Sequence, residues 1–346
     1  MSRGLTFWDD ETISFIRENF VAVAVPTWVR HEEGPEGDFL RKAGIDKMWI
    51  TSSGYMTCVS ASGEHLGRRP DAKVLAAFEA LPESERAPGA IEVPEISASE
   101  RLIPSPPEGG IVLRVHARFL HREENGSLRK AIHSDFPLMQ EDPKRGERWR
   151  LFLEPNTEYL WLKEAEWRSL IPENPKPGQK IEANPQIGIR MARFHLTPRR
   201  ATTSEGGIVP EKSIRIARLE VTVADVSETE ISMDVSGRIE WGTEFDAELA
   251  TTPNGPLKIG FATDLHGQLI YDREAGKITR FDIAAPGHVW GRWGDANGNS
   301  LPVERPGKAP FGFALELATG DSPTDRIPPG GNGRYVETRG YFGDRD

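Results

Sequence analysis

PLKIGFATDLHGQLIYDREAGKITRFDIAAPGHVWGRW, residues 256–293, reads as two long strands joined by one tight turn. Ile259, Phe261, Leu269, Tyr271, Ile278, Phe281 and Ile283 supply its apolar positions. Arg273-Glu274-Ala275-Gly276-Lys277 supplies a polar turn with the glycine that a left-handed residue needs. A hairpin of this length is the spine of a sheet, and the segments around it follow the same rule. Residues 214–226 and 230–241 alternate apolar and polar about Ser227-Glu228-Thr229, which predicts a second antiparallel hairpin. In residues 111–119, Arg114, His116 and Arg118 alternate with Leu113, Val115, Ala117 and Phe119, the pattern of a half-buried strand. Shorter strands are expected at 149–153, 159–162 and 311–317, and a helix at 163–170 closed by Pro172. Asn184-Pro185 opens a run carrying Ile187, Met191 and Phe194 that fits either a helix or a strand. Strands adjacent in sequence with short polar turns argue for an antiparallel sheet curled around a core, a sandwich or partial barrel with one or two covering helices.

Toward the N-terminus the pattern changes. Asp9 or Asp10 caps a short helix carrying Ile13, Ile16 and Phe20. Phe20-Val21-Ala22-Val23-Ala24-Val25, ended by Pro26, predicts a buried strand. A short amphipathic piece at 39–43, a strand at 55–60 turned by Ser62-Gly63-Glu64, and a helix at 70–81 with Val74, Leu75, Phe78 and Leu81 on one face follow. This order resembles the later part of a thioredoxin-like domain. TFWDDETISFIRENFVAVAV is similar to the segment that follows the CxxC helix start in bacterial thioredoxin-like proteins. The family's first strand and its CxxC have no counterpart, and no proline stands near Gly54-Tyr55, where the cis-proline would fall, so no redox residues are carried over. Six prolines between Pro82 and Pro107 mark an extended linker. The expected fold is therefore α+β: a truncated thioredoxin-like domain without redox motif (1–86), a Pro-rich linker (87–110), an antiparallel β-rich module (111–320), and a Pro/Gly-rich tail (321–346) that wraps the surface or is mobile. As a whole the arrangement resembles uncharacterised bacterial proteins that join such a segment to a β-rich module, a likeness that implies no activity.

Composition bounds the function. A net charge of −10 over 346 residues leaves no concentrated basic face for nucleic acid or an anionic membrane. One cysteine, Cys58, rules out an intramolecular disulfide and a cysteine-based zinc site. Asp9, Asp10 and Glu11 stand where a signal peptide needs an apolar core, and no run approaches about 18 apolar residues. The expected location is the cytoplasm, and no cofactor is implied.

Candidate chemistry is sparse. Six of the eight histidines, His116, His121, His133, His195, His266 and His288, fall in the β module. A metal site needs three or four ligands converging on one point, whereas His116 and His121 fall on opposite faces of a strand, so no metal is expected. His266 and His288 can meet across the spine hairpin, and His195 has the chemistry of a general base but no spaced nucleophile. Asp295-Ala296-Asn297-Gly298-Asn299 lacks the glycine and glutamate of an EF-hand and reads as a turn. The cluster His288-Val289-Trp290-Gly291-Arg292-Trp293 is the best ligand-contact candidate. Trp290 and Trp293, with Tyr271, either line an apolar cavity or plug the sheet's end as core. The leading expectation is a non-catalytic binding or protein-interaction protein taking a small apolar ligand or a protein partner. The alternative is an enzyme, such as a metal-dependent hydrolase, with a histidine site at His195, His266 and His288.

Overall fold

The alternating segments after residue 110 build one large antiparallel sheet. The computed structural model describes residues 10–23, 33–45, 57–68, 70–91, 104–136, 153, 155–198, 208–247, 259–291, 307–331, 336 and 340–343. The chain divides into two compact units, Met1–Pro104 and Ser105–Asp346.

The first unit contains α1 (Asp10–Asn19), α2 (Pro35–Lys42), β1 (Cys58–Val59), β2 (His65–Gly67), α3 (Ala72–Glu79) and α4 (Glu83–Arg86). β1 and β2 form a small antiparallel hairpin whose turn uses Gly63 at φ 87°. The Asp71 carboxylate caps α3 by accepting the N–H groups of Lys73 and Val74, both at 3.0 Å. Two expectations fail here. The apolar run from Phe20 is not a buried strand in its described part: residues 20–23 are irregular, with Val21 91% and Val23 73% exposed. The described strands of this unit are only two and three residues long and pair with each other, so they offer the run no neighbour. The proline-rich stretch is also not wholly extended, because α4 forms directly behind Pro82, where proline suits a helix start.

The second unit contains β3 (Ile111–Arg122), β4 (Leu128–Lys130), β5 (Asn156–Leu162), α5 (Glu164–Arg168), β6 (Lys180–Glu182), α6 (Pro185–Arg190), β7 (Ile214–Val226), β8 (Glu230–Gly242), β9 (Ile259–Asp272), β10 (Lys277–Gly291) and β11 (Ala309–Leu317). α6 runs on through a π-turn, Met191–His195. The strands form one sheet in the order β4-β3-β11-β10-β9-β8-β7-β6, with β5 beside β4 on the same edge of β3. Odd-numbered residues of β3, β9 and β11, and of β10 from Phe281 onward, face inward, among them Phe119, Phe261, Phe281, Phe311 and Phe313, each at most 4% exposed. Edge-to-face ring pairs join Phe119 to Phe311 (4.8 Å) and Phe261 to Phe313 (5.6 Å).

The sheet curls, and glycine on the concave face allows it. A Cβ on Gly267 would collide with the Asp282 carbonyl oxygen, and one on Gly237 with that of Arg218. The π-turn of α6 touches β5 at one end of the strand order and β7 and β8 at the other, so the sheet wraps around it. Of the two expected forms this is the partial barrel, with its interior filled by Ile187, Met191 and Phe194. Pro286 sits mid-sheet and has no N–H to donate, and the pairing of β10 with β9 skips Ala285 and Pro286. The carbonyl left over, that of Asp264, accepts the Thr263 hydroxyl at 3.0 Å. The tail is built in as well: Asp325 and Tyr341 are 3% and 2% exposed. No helix among the described residues is long and apolar enough to cross a membrane.

Candidate functional site

The three histidines of the enzyme alternative are not brought together. His195 ends the π-turn inside the curl, 1% exposed, with Nε2 2.7 Å from the Tyr341 hydroxyl. His266 and His288 both lie on the convex outer face, yet His288 stands opposite Ala262 in the hairpin, four residues from His266. At about 3.3 Å per residue that is a separation near 13 Å. His116 also faces out, beside Thr157 (3.1 Å) and Glu316 (3.4 Å), and His121 meets Asp135 at 3.3 Å. Among the described residues no group of three or more His, Cys, Asp or Glu is placed to hold a metal.

The aromatic candidates separate too. Trp290 is 5% exposed, lies over Gly260 and donates its indole N–H to the Thr243 carbonyl at 2.9 Å. It therefore packs on the outer face of the sheet's end. Tyr271, opposite Ile278, is at the other end of the hairpin, and Trp293 lies outside the described residues.

Sequence reading missed a buried arginine that holds several elements of the unit together. Arg190 on α6 makes a two-pronged pair with Glu166 of α5 (2.6 and 2.7 Å). It also donates to the carbonyls of Tyr341 (2.8 Å) and Trp161 (3.2 Å). The Tyr341 hydroxyl accepts the Trp161 N–H at 3.0 Å. These bonds tie α5, α6, β5 and the tail into one buried network whose polar groups are engaged with each other, which makes it structural.

Among the described residues, the edge of β7 has no strand beside it past Leu219, and α6 lies against it there. β6 pairs Lys180–Glu182 with residues 220–222, and on the side toward Ala217 the bond from the Ala183 N–H to the Leu219 carbonyl (2.9 Å) ends the ladder. The chain must leave the sheet there because Pro185 starts α6 and the Asn184 side chain caps it by accepting the Gln186 N–H. Residues 214–218 of β7 consequently pair with β8 alone among the described residues. The Ala217 carbonyl points out of the sheet toward Gly188, where a Cβ would come within 2.5 Å of it. Its N–H, by the alternation of the ladder, points the same way. A groove of about 580 Å³ lies here, with residues 183–185 and Gly188 on one side and residues 214–219 on the other. Its rim is charged. Arg215 reaches Glu244 (3.2 Å) and Arg238 reaches Asp264 (2.7 Å), while Arg218 is exposed and has no ion pair among the described residues. Such an edge presents backbone donors and acceptors, an apolar strip in Ile214 and Ile216, and one unspent cation. Compared with family models, curated proteins and solved structures, the chain matches none. The candidate site therefore rests on this geometry alone.

Proposed function

We propose that this is a non-catalytic binding protein that holds an extended, acidic polypeptide segment of a partner along the open edge of β7. The observation that carries the reading is the ladder's stop at Leu219, which leaves residues 214–218 without a strand partner on that side, beside a groove whose other wall is α6. A strand added to such an edge gains main-chain hydrogen bonds, and side-chain positions on the rim select its sequence. Arg218 favours a carboxylate on the incoming segment, and with Arg215 it opposes pairing of the edge with a second copy of itself. Around a filled interior, the groove is a surface that asks little rearrangement of the sheet.

The same reading takes the first unit as a thioredoxin-like segment that does no dithiol exchange, in a cytoplasmic protein. Support comes from Cys58, the lone cysteine, whose thiol is pushed up by burial and by the charge of Asp71, away from the reactive thiolate.

The test is a five-residue peptide of alternating valine and glutamate, blocked at both ends, added to the full chain. Amide exchange at Ala217 is expected to slow at least about tenfold, and Arg218→Glu to remove the effect. Unchanged exchange at millimolar peptide contradicts the reading.

A further inference from the structure

A second surface, on the convex face of the sheet and independent of the β7 edge, carries an unbalanced charge. The β11–β3 register sets Phe311 against Phe119 and Gly312 against Arg118. Continued by three residues it sets Lys308 beside Arg122, and the β10–β11 register places His288 beside Pro310. Even-numbered residues of these strands face outward, so Arg118, Arg122, His288 and Lys308 occupy one corner of the face, across three adjacent strands, around Leu120 and Pro310.

Elsewhere on this face, Arg218 apart, arginines meet carboxylates: Arg114 meets Asp325 and Glu316, Arg238 meets Glu240 and Asp264, and Arg280 meets Asp282. At this corner they do not. Arg122 donates only to the Gly126 carbonyl (2.9 Å). Lys308 holds its ammonium over the rings of Phe245 (4.9 Å) and Trp290 (5.6 Å). Arg118 has its Nε shut off from water and bonded to no acceptor, and no carboxylate among the described residues pairs with any of the three. Like charges on neighbouring strands repel, and a sealed guanidinium N–H without an acceptor costs free energy comparable to a lost hydrogen bond. In a chain of net charge −10 this concentration of positive charge is the exception. An oxyanion drawn to the corner would accept from Arg118 and lessen the repulsion among the three cations.

The geometry points to a binding site for a small oxyanion, a phosphate or a carboxylate group, at the corner formed by Arg118, Arg122, His288 and Lys308. Phe245, 37% exposed beside Lys308, gives an apolar shoulder to whatever carries the charged group. The imidazole of His288 is held below its ordinary value by burial and then by the charges of Arg122 and Lys308, so it enters the site neutral and reports on any anion that arrives.

Two-dimensional proton–carbon spectra of the His288 ring, recorded on the full chain at constant ionic strength, decide the matter. Inorganic phosphate and citrate are titrated separately, with sodium chloride as the reference. A saturating shift with phosphate alone assigns a phosphate site, and one with citrate alone or with both assigns a site for carboxylates or for oxyanions generally. In Arg118→Gln and in Lys308→Gln the dissociation constant is expected to rise at least about fivefold. A linear, unsaturated response matching that of chloride overturns the proposal, and so does saturation that both substitutions leave unchanged. The unsubstituted protein's titration stands by itself should either variant fail to fold.

Discussion

Removing Glu166 is the sharpest probe of how the second unit holds together. The Arg190 side chain is 1% exposed and Glu166 9%, so both charges have left water. In Glu166→Ala the guanidinium keeps its two carbonyl acceptors, Tyr341 and Trp161, and loses both carboxylate oxygens. Breaking a buried pair by deleting one partner costs about 3–5 kcal/mol, because the remaining charge is uncompensated. The Lys163 N–H also loses its acceptor, which adds roughly 1 kcal/mol. The rings of Tyr341 and Phe342, 5.1 and 4.8 Å from the guanidinium, return a comparable amount. The net expectation is a loss of about 3–5 kcal/mol. Replacing both partners, Glu166→Leu with Arg190→Met, should cost less than Glu166→Ala alone, since no buried charge survives. Lys180→Ala, which breaks an ion pair whose lysine is 67% exposed, should stay within about 0.5 kcal/mol. Urea unfolding followed by tryptophan fluorescence measures all three. A loss below about 1 kcal/mol for Glu166→Ala, or a double replacement at least as costly as Glu166→Ala, refutes the reasoning.

Phe281→Ala should destabilise by about 3–5 kcal/mol, because the ring is 1% exposed on the concave face, and a loss under about 1 kcal/mol in the same assay would place it on the other face. Trp290→Ala should cost a similar amount through lost packing on Gly260 and the lost bond to Thr243, and full stability would return Trp290 to the role of an exposed ligand contact. Asp325 is held below the usual carboxylate range by the Arg114 guanidinium (2.8 and 2.9 Å). Its stabilisation is therefore complete above about pH 4 and lost as the pH falls through the lower folded-state value, so urea midpoints between pH 2 and 7 should show a weaker acid dependence in Asp325→Asn. Cys58, with its thiol pushed up, should react with iodoacetamide at pH 8 more slowly than free cysteine, and Cys58→Ser should leave insulin reduction at the no-protein background.

The spine hairpin was legible because its period-two pattern has one cause, a sheet wet on one face and dry on the other: β9, β10 and the hairpin of β7 and β8 fall close to the segments read from alternation. The run Phe20 to Val25 shows the limit of the same signal. Its composition suits a strand, but a strand needs a neighbour, and neighbours are set by tertiary structure. The histidines failed for a related reason. Parity along a strand says which face His266 and His288 share, while their spacing depends on register, and His195 reaches the interior only through α6. The Glu166–Arg190 pair joins residues 24 apart, and Arg190 joins Tyr341 across 151 residues, with no motif to announce either. The open edge of β7 was not legible in the sequence. Asn184-Pro185 fits a helix or a strand by sequence, and nothing in it marks the place where β6 abandons its partner.

Site-specific photocrosslinking tests the binding claim most directly. A benzoylphenylalanine replaces Ile216 in the groove, and in a second protein it replaces Thr279, exposed on the outer face of β10. Irradiated in the cells that make it, the Ile216 variant should form a discrete adduct with another polypeptide, lost on adding Arg218→Glu, while the Thr279 variant should form none. No adduct at Ile216, or equal adducts at both positions, would contradict the claim that the open edge of β7 is where this protein takes its partner.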